Sequence, residues 1–242
     1  MSIADKLQTI AENEQKVFDA GKKAEYDAFW DKFQTNGNRA DYRYAFAGFG
    51  WNDEMFKPKY PIKPREASGS IFHSTKITDI KAIVESNGIE IDFSNATNLE
   101  MLFNSSQVTR FGTIDTRGCK GVGYMLYSAT KLKSVDKIIL KEDGSQAVNN
   151  FAEKCVQLVD ITIEGVIGQN GFTVQQSTKL SKSSWQSIIN ALSTTTSDLS
   201  ITGSLASVKK AFETTAGAND GNTSAEWLSL VDTKKNWTIS LI

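Results

Sequence analysis

Apolar positions along this chain follow three different rhythms. From Ile3 to Ala28 they step by three, four and seven (Ile3, Leu7, Ile10, Val17, Ala24, Ala28), a heptad seam interrupted at Glu14 and Gly21. Ser2 with Asp5 resembles a capping pair, and Asn36-Gly37 supplies a stop. The pattern predicts one long N-terminal helix over residues 1–36, a rod of about 48 Å at 1.5 Å per residue. A lone helix of that length has no obvious core to lie on. The expectation is therefore a coiled-coil stalk for docking or oligomerisation, with Ile3, Leu7, Ile10, Val17 and Ala24 as its seam. The competing expectation is a helix folded back on its own domain.

Residues 37–66 form an aromatic and Pro-rich connector. The first 66 residues hold all three prolines (Pro58, Pro61, Pro64) and 12 of the 24 aromatics, but only three Ser or Thr; the other 42 Ser and Thr follow. Prolines at that spacing favour an extended chain, because each ring fixes φ and keeps its predecessor out of the α region. Tyr42, Tyr44, Phe46, Trp51 and Phe56 interleave with Arg39, Arg43 and Lys57, a mixture that can stack on single-stranded bases. A compact apolar plug at the helix end is the simpler expectation.

The third rhythm is a repeat over residues 67–183. With Ile77, Val108, Leu132, Leu158 and Leu180 as anchors, the spacings are 31, 24, 26 and 22 residues. Three residues after each anchor come Ile80, Phe111, Val135, Ile161 and Ser183; six before come Ile71, Leu102, Leu126, Ala152 and Val174. Three before come Ser74, Ser105, Ala129, Cys155 and Ser177, all small. Short strands that each bury one face against the next turn produce such columns. The fold class expected is an α/β (α+β) leucine-rich-repeat solenoid of about five irregular repeats, preceded by the long helix and closed by a C-terminal helix/strand cap over 184–242. Within that cap Trp185, Ile188, Ile189 and Leu192 have helical spacing, as do Leu205, Val208, Ala211 and Phe212, while Leu199 and Ile201 alternate as in a strand. Trp227, Leu228 and Val231 predict a last helix, and Trp237, Ile239 and Leu241 a last strand.

Charge and chemistry narrow the picture. The 242 residues carry 27 Lys and Arg against 28 Asp and Glu, for a net charge of −1. Nothing global attracts nucleic acid or an anionic membrane. No stretch approaches the roughly 18 apolar residues of a membrane span, and the start has no secretory pattern, so neither membrane insertion nor classical export is expected. Cys119 and Cys155 form no disulfide framework, and the Asn-x-Ser/Thr triplets at Asn95, Asn104, Asn222 and Asn236 read as coincidence in a chain so rich in these residues. No cofactor or metal is expected. His73 is the one histidine and has no acid or thiol partner suggested by spacing. Gly118-Cys-Lys-Gly-Val-Gly123 lacks the order of a phosphate loop, and Asp143-Gly144 lacks further calcium ligands at alternating positions. The chain is read as a non-enzyme. Candidate binding positions are the exposed ones between anchors: Asp79, Arg110, Lys133 and Asp160.

Residues 67–242 resemble the BspA-like leucine-rich-repeat surface proteins, on the lines Ser-Ser-Gln-Val-Thr-Arg-Phe (105–111), Ala-Thr-Lys-Leu-Lys-Ser-Val (129–135), Cys-Val-Gln-Leu-Val-Asp-Ile (155–161) and Leu180 to Leu192. That resemblance implies an adhesion or host-surface-binding module. The front end, Gln15-Lys-Val-Phe-Asp-Ala-Gly-Lys-Lys-Ala-Glu-Tyr-Asp-Ala-Phe-Trp30 and then Phe56-Lys-Pro-Lys-Tyr60, resembles the N-terminal module of tail-region virion proteins of gut bacteriophages. It implies a tail- or fibre-associated structural protein, assembled into the virion in the host cytoplasm. Its expected partners are other virion proteins, through the N-terminal helix, and a host cell-surface protein or glycan. A homo-oligomer is expected, with a trimer favoured over a dimer. The alternative is a bacterial cell-surface adhesin; the long first repeat interval and the missing wall-anchoring end count against it.

Overall fold

The computed structural model describes residues 13, 21, 23–25, 27–31, 42–48, 51–65, 69–196 and 198–242. Three parallel strands, β1 (Arg110–Asp115), β2 (Ser134–Ile139) and β3 (Asp160–Glu164), form one sheet in that order. Phe111 pairs with Val135, and Val135 with Ile161, so anchors-plus-three stand side by side. All three are buried, as are Ile114, Ile138 and Ile163. Between Val135 and Ile138 the register slips, and Ile138 faces Ile163. That bulge is where Asp136 and Lys137 of β2 oppose the single Thr162 of β3.

The leucine-rich-repeat solenoid of about five repeats is not what the chain builds. The described residues hold two small parallel sheets, of three and two strands, and no solenoid. Capping explains why the outer anchors yield no strand. Two residues after Ile77, the Asp79 carboxylate accepts the Ala82 N–H at 3.0 Å and starts helix α1 (Ile80–Ser86). One residue after Leu180, Ser181 accepts the Ser184 N–H at 3.3 Å and starts helix α2 (Lys182–Ala191). Helix accounts for 22% of the structure and comes in short segments, so no long N-terminal helix stands among the described residues. Most of residues 1–36, with Ile3, Leu7, Ile10 and Val17, lies outside them; Ala24 is helical and exposed.

A second ladder runs along the turns away from the sheet. Backbone N–H groups of Phe46, Phe72, Phe103, Leu126 and Ala152 donate to the carbonyls of Ile71, Leu102, Met125, Phe151 and Thr173, at 2.8 to 3.0 Å. Val174 continues the series to Thr202. Each rung bends at left-handed residues four apart: Ser70 and Ser74, Met101 and Ser105, Tyr124 and Ser128, Asn150 and Lys154. The side chains at the donor positions form a buried column. Phe46 stacks on Phe72 at 5.3 Å, and Phe72 on Phe103 at 5.5 Å. The aromatic stretch before residue 66 contributes to the same core, through Trp30, Tyr42, Phe46 and Phe56.

Both sheet edges are covered. On the β1 side, the Thr109 N–H bonds to Thr78 O, and the Asp53 carboxylate takes the Thr78 N–H at 2.6 Å. On the β3 side, α2 lays serine hydroxyls along the strand. Ser184 Oγ accepts the Ile161 N–H at 2.9 Å and donates to Val159 O at 2.9 Å. Ser187 Oγ accepts the Ile163 N–H at 2.7 Å and donates to Ile163 O. A helix thus satisfies an edge that would otherwise recruit another strand.

Beyond α2 come β4 (Leu199–Gly203), α3 (Leu205–Ala211), a 3-10 turn (Gly221–Thr223), α4 (Ala225–Asp232) and β5 (Trp237–Leu241). β4 and β5 pair in parallel, and Thr202 bridges back to Thr173, so this sheet extends the turn ladder. Trp185 centres the region: its Nε1–H donates to Ser207 Oγ at 2.9 Å and its ring meets Trp227 edge-on.

Candidate functional site

The sequence-predicted residues lie at the leading end of the three-stranded sheet. Arg110 opens β1, Asp160 opens β3, Lys133 precedes β2, and Asp79 caps α1. Arg110 and Asp160 each pair in register with Ser134, so the sheet brings them to one end, on its two outer strands. Arg110 is already engaged: its Nε and Nη2 both donate to Asp79 Oδ2. That carboxylate raises the guanidinium pKa further above its ordinary value, first by hydrogen bonding and then by charge. Lys133 and Asp160 are exposed and make no side-chain ion pair among the described residues.

The open face of the sheet repeats this pairing. Lys81 meets Asp136 at 2.6 Å, Arg117 meets Asp115 at 2.7 Å, and Lys137 meets Glu164 at 2.6 Å. The Arg117 hydrogen bond draws the Asp115 carboxyl below the usual range. Exposed pairs like these add little stability, typically about 0–1 kcal/mol each. Their consequence here is chemical: they neutralise the face, and a ligand must break pairs to use it.

Both cysteines are free and buried. Cys119 Sγ donates to Ala96 O at 3.1 Å and Cys155 Sγ to Leu126 O at 2.9 Å; burial pushes both thiols up to about 12. A thiol so held is no nucleophile. His73 is half-buried, with no side-chain hydrogen bond among the described residues. No group of three or more His, Cys, Asp or Glu there is arranged for a metal ion, and no helix there is long and apolar enough to cross a membrane. Asp143 closes a tight turn on Ser145, accepting its N–H at 2.9 Å and its hydroxyl at 2.8 Å.

The turn ladder presents a different surface, missed in the sequence. At its early rungs lies a cleft of about 300 Å³ lined by Arg43, Tyr44, Ser70, Asn98, Glu100 and Met101. Tyr44 and Met101 are the large apolar side chains most open to solvent there, at 61% and 40%. Both occupy left-handed positions (φ 57° each), uncommon for residues other than glycine. Asn98 Oδ1 accepts the Glu100 N–H at 2.8 Å and so orients the cleft floor. Gly69 borders it because a Cβ there would stand 3.1 Å from Glu100 O and 3.2 Å from Asn98 Oδ1. One rung beyond Met101, Tyr124 packs edge-on to Tyr127 at 5.5 Å. Lys154, on the following rung, donates to Tyr127 Oη at 2.7 Å, and that bond holds its ammonium above the ordinary lysine pKa.

A wider groove of about 660 Å³ runs between α4 and β5, with Leu228, Val231 and Ile239 on its walls. Beside it the Lys234 ammonium caps the end of α2, donating to Asn190 O at 3.0 Å and to Leu192 O. Trp237 Nε1 donates to Ser193 O at 2.8 Å. Lys234 and Trp237 are thus spent on the fold, and the groove's remaining charges, Asp232 and Lys235, meet each other at 3.4 Å. Compared with known protein families, curated proteins and solved structures, the chain matches none of them.

Proposed function

We propose that this chain is a non-enzymatic, tail- or fibre-associated structural protein of a phage virion that binds the host-cell surface through its turn ladder. The observation that carries the binding half is the contrast between the two faces. The sheet face is closed by four ion pairs, whereas the ladder face offers a cleft, exposed Tyr44 and Met101, and a tyrosine pair. Pockets with apolar walls and a few convergent polar groups are the usual form of a ligand site. The virion half is supported by the likeness of Gln15–Trp30 and Phe56–Tyr60 to phage tail-region modules. On this reading the N-terminal segment docks on other virion proteins and assembles copies of the chain, a trimer being favoured.

Immunogold labelling with antibody to the full chain tests the location: label at the tail of purified virions is expected, and label confined to bacterial envelopes supports the adhesin instead. Light scattering of the full chain tests assembly, with a three-chain mass expected and a monomer contradicting it.

A further inference from the structure

We infer that the cleft and the Tyr124–Tyr127 pair form one extended site for an uncharged oligosaccharide; this rests on the ladder face being the host-binding surface. Tyr44, Ser70, Met101 and Tyr124 are the left-handed residues of four successive rungs. At about 4.8 Å per rung they span about 14 Å, the reach of a short sugar chain rather than of a single small molecule.

The residue types fit the ligand. A pyranose has an apolar C–H face and a rim of hydroxyls that donate and accept. Tyr44 and Tyr124 supply flat apolar surfaces for the first. Arg43, Ser70, Asn98 and Glu100 supply donors and acceptors for the second. Charge argues the sign: one cation and one carboxylate, Arg43 and Glu100, line the cleft, and Lys154 stands 3.7 Å from Glu153 at the far end. Polyanion binding draws on a surplus of Lys and Arg, and these four residues supply none. A protein partner is disfavoured because Tyr44 and Met101 are its only strongly exposed large apolar side chains among the described residues, too few for the apolar centre of a stable protein interface.

Calorimetric titration of the full chain with neutral six-unit glucan and mannan oligosaccharides, and with polygalacturonate and heparin fragments as acidic probes, tests the inference. Binding of a neutral probe is expected, weakened at least about tenfold by Tyr124→Ala and kept by Tyr124→Phe, which preserves ring and packing. Preference for an acidic probe overturns it, as does binding of no neutral probe. Retention of the chain on bacterial cells separates this failure from failure of the wider proposal. Loss after periodate treatment of the cells supports the glycan. Loss only after protease treatment overturns it while leaving the ladder face as a binding surface. Retention abolished by Arg110→Ala with Lys133→Ala, and untouched by Tyr124→Ala, overturns both.

Discussion

Replacing Ser184 by Ala should destabilise the protein through a strand that the helix never enters. Ser184 is buried, and its hydroxyl accepts the Ile161 N–H at 2.9 Å on the outer edge of β3. It also donates to Val159 O at 2.9 Å. Alanine leaves a buried donor without an acceptor and a carbonyl with one partner fewer. An orphaned buried polar group costs about 1–3 kcal/mol. The helix itself gains a few tenths of a kcal/mol from alanine. The net expectation is a loss of about 2 kcal/mol. Ser187 makes the equivalent bonds to Ile163 but is partly open to water, so Ser187→Ala should cost about 1 kcal/mol. Exposed Ser183, which bonds only to the neighbouring Ser181 hydroxyl, serves as control, with a change within about 0.5 kcal/mol. Urea denaturation followed by tryptophan fluorescence measures all three, with an unchanged slope required for the comparison. Equal stabilities of the Ser184 and Ser183 variants would refute the hydroxyl-capped edge.

Other consequences are as direct. Cys119 and Cys155 should resist a thiol-specific disulfide reagent at pH 8 in the native protein and react fully in urea; rapid native labelling would contradict their burial. Because each thiol is pushed up to about 12 in the folded state while the unfolded chain ionises near 9, folding loses stability as pH rises above about 9. The urea midpoint should therefore drop between pH 8.5 and 10.5, and drop less in the Cys119→Ala, Cys155→Ala double variant. Gly165→Ala should cost more than about 2 kcal/mol, since φ is +90° and a Cβ would stand 2.3 Å from Leu140 O; a midpoint like that of the parent would refute the close approach. Lys234→Met should lower stability by about 1–3 kcal/mol by leaving Asn190 and Leu192 carbonyls uncapped, measured by the same titration.

The anchors were legible because burial demands an apolar side chain whatever the backbone does. Ile77, Val108, Leu132, Leu158 and Leu180 are all buried, three of them leading into strands. The backbone state around them was less legible: Asp79 and Ser181 cap helices just after two anchors, and capping chemistry overrode the repeat. The column six residues before the anchors is also displaced in part. Leu126, Ala152 and Val174 stand in the stacked column, but Phe72 and Phe103 occupy it in place of Ile71 and Leu102, because those two turns are one residue shorter. The polar position at Ser183 is likewise off by one, since Ser184 meets the strand. The ladder face itself carried no sequence signal. Its left-handed positions hold Tyr44, Ser70, Met101 and Tyr124 rather than glycine, so the turn chemistry that usually marks such backbone was missing.

Retention of the full chain on host cells by two matched variants tests the central claim most directly. Met101→Ala with Tyr124→Ala strips the ladder face; Arg110→Ala with Lys133→Ala strips the leading end of the sheet. The account predicts a loss of at least about tenfold in cell affinity for the first, equivalent to about 1.4 kcal/mol, and no more than about a twofold change for the second. Cells released by the sheet-end variant and held by the ladder variant would contradict it.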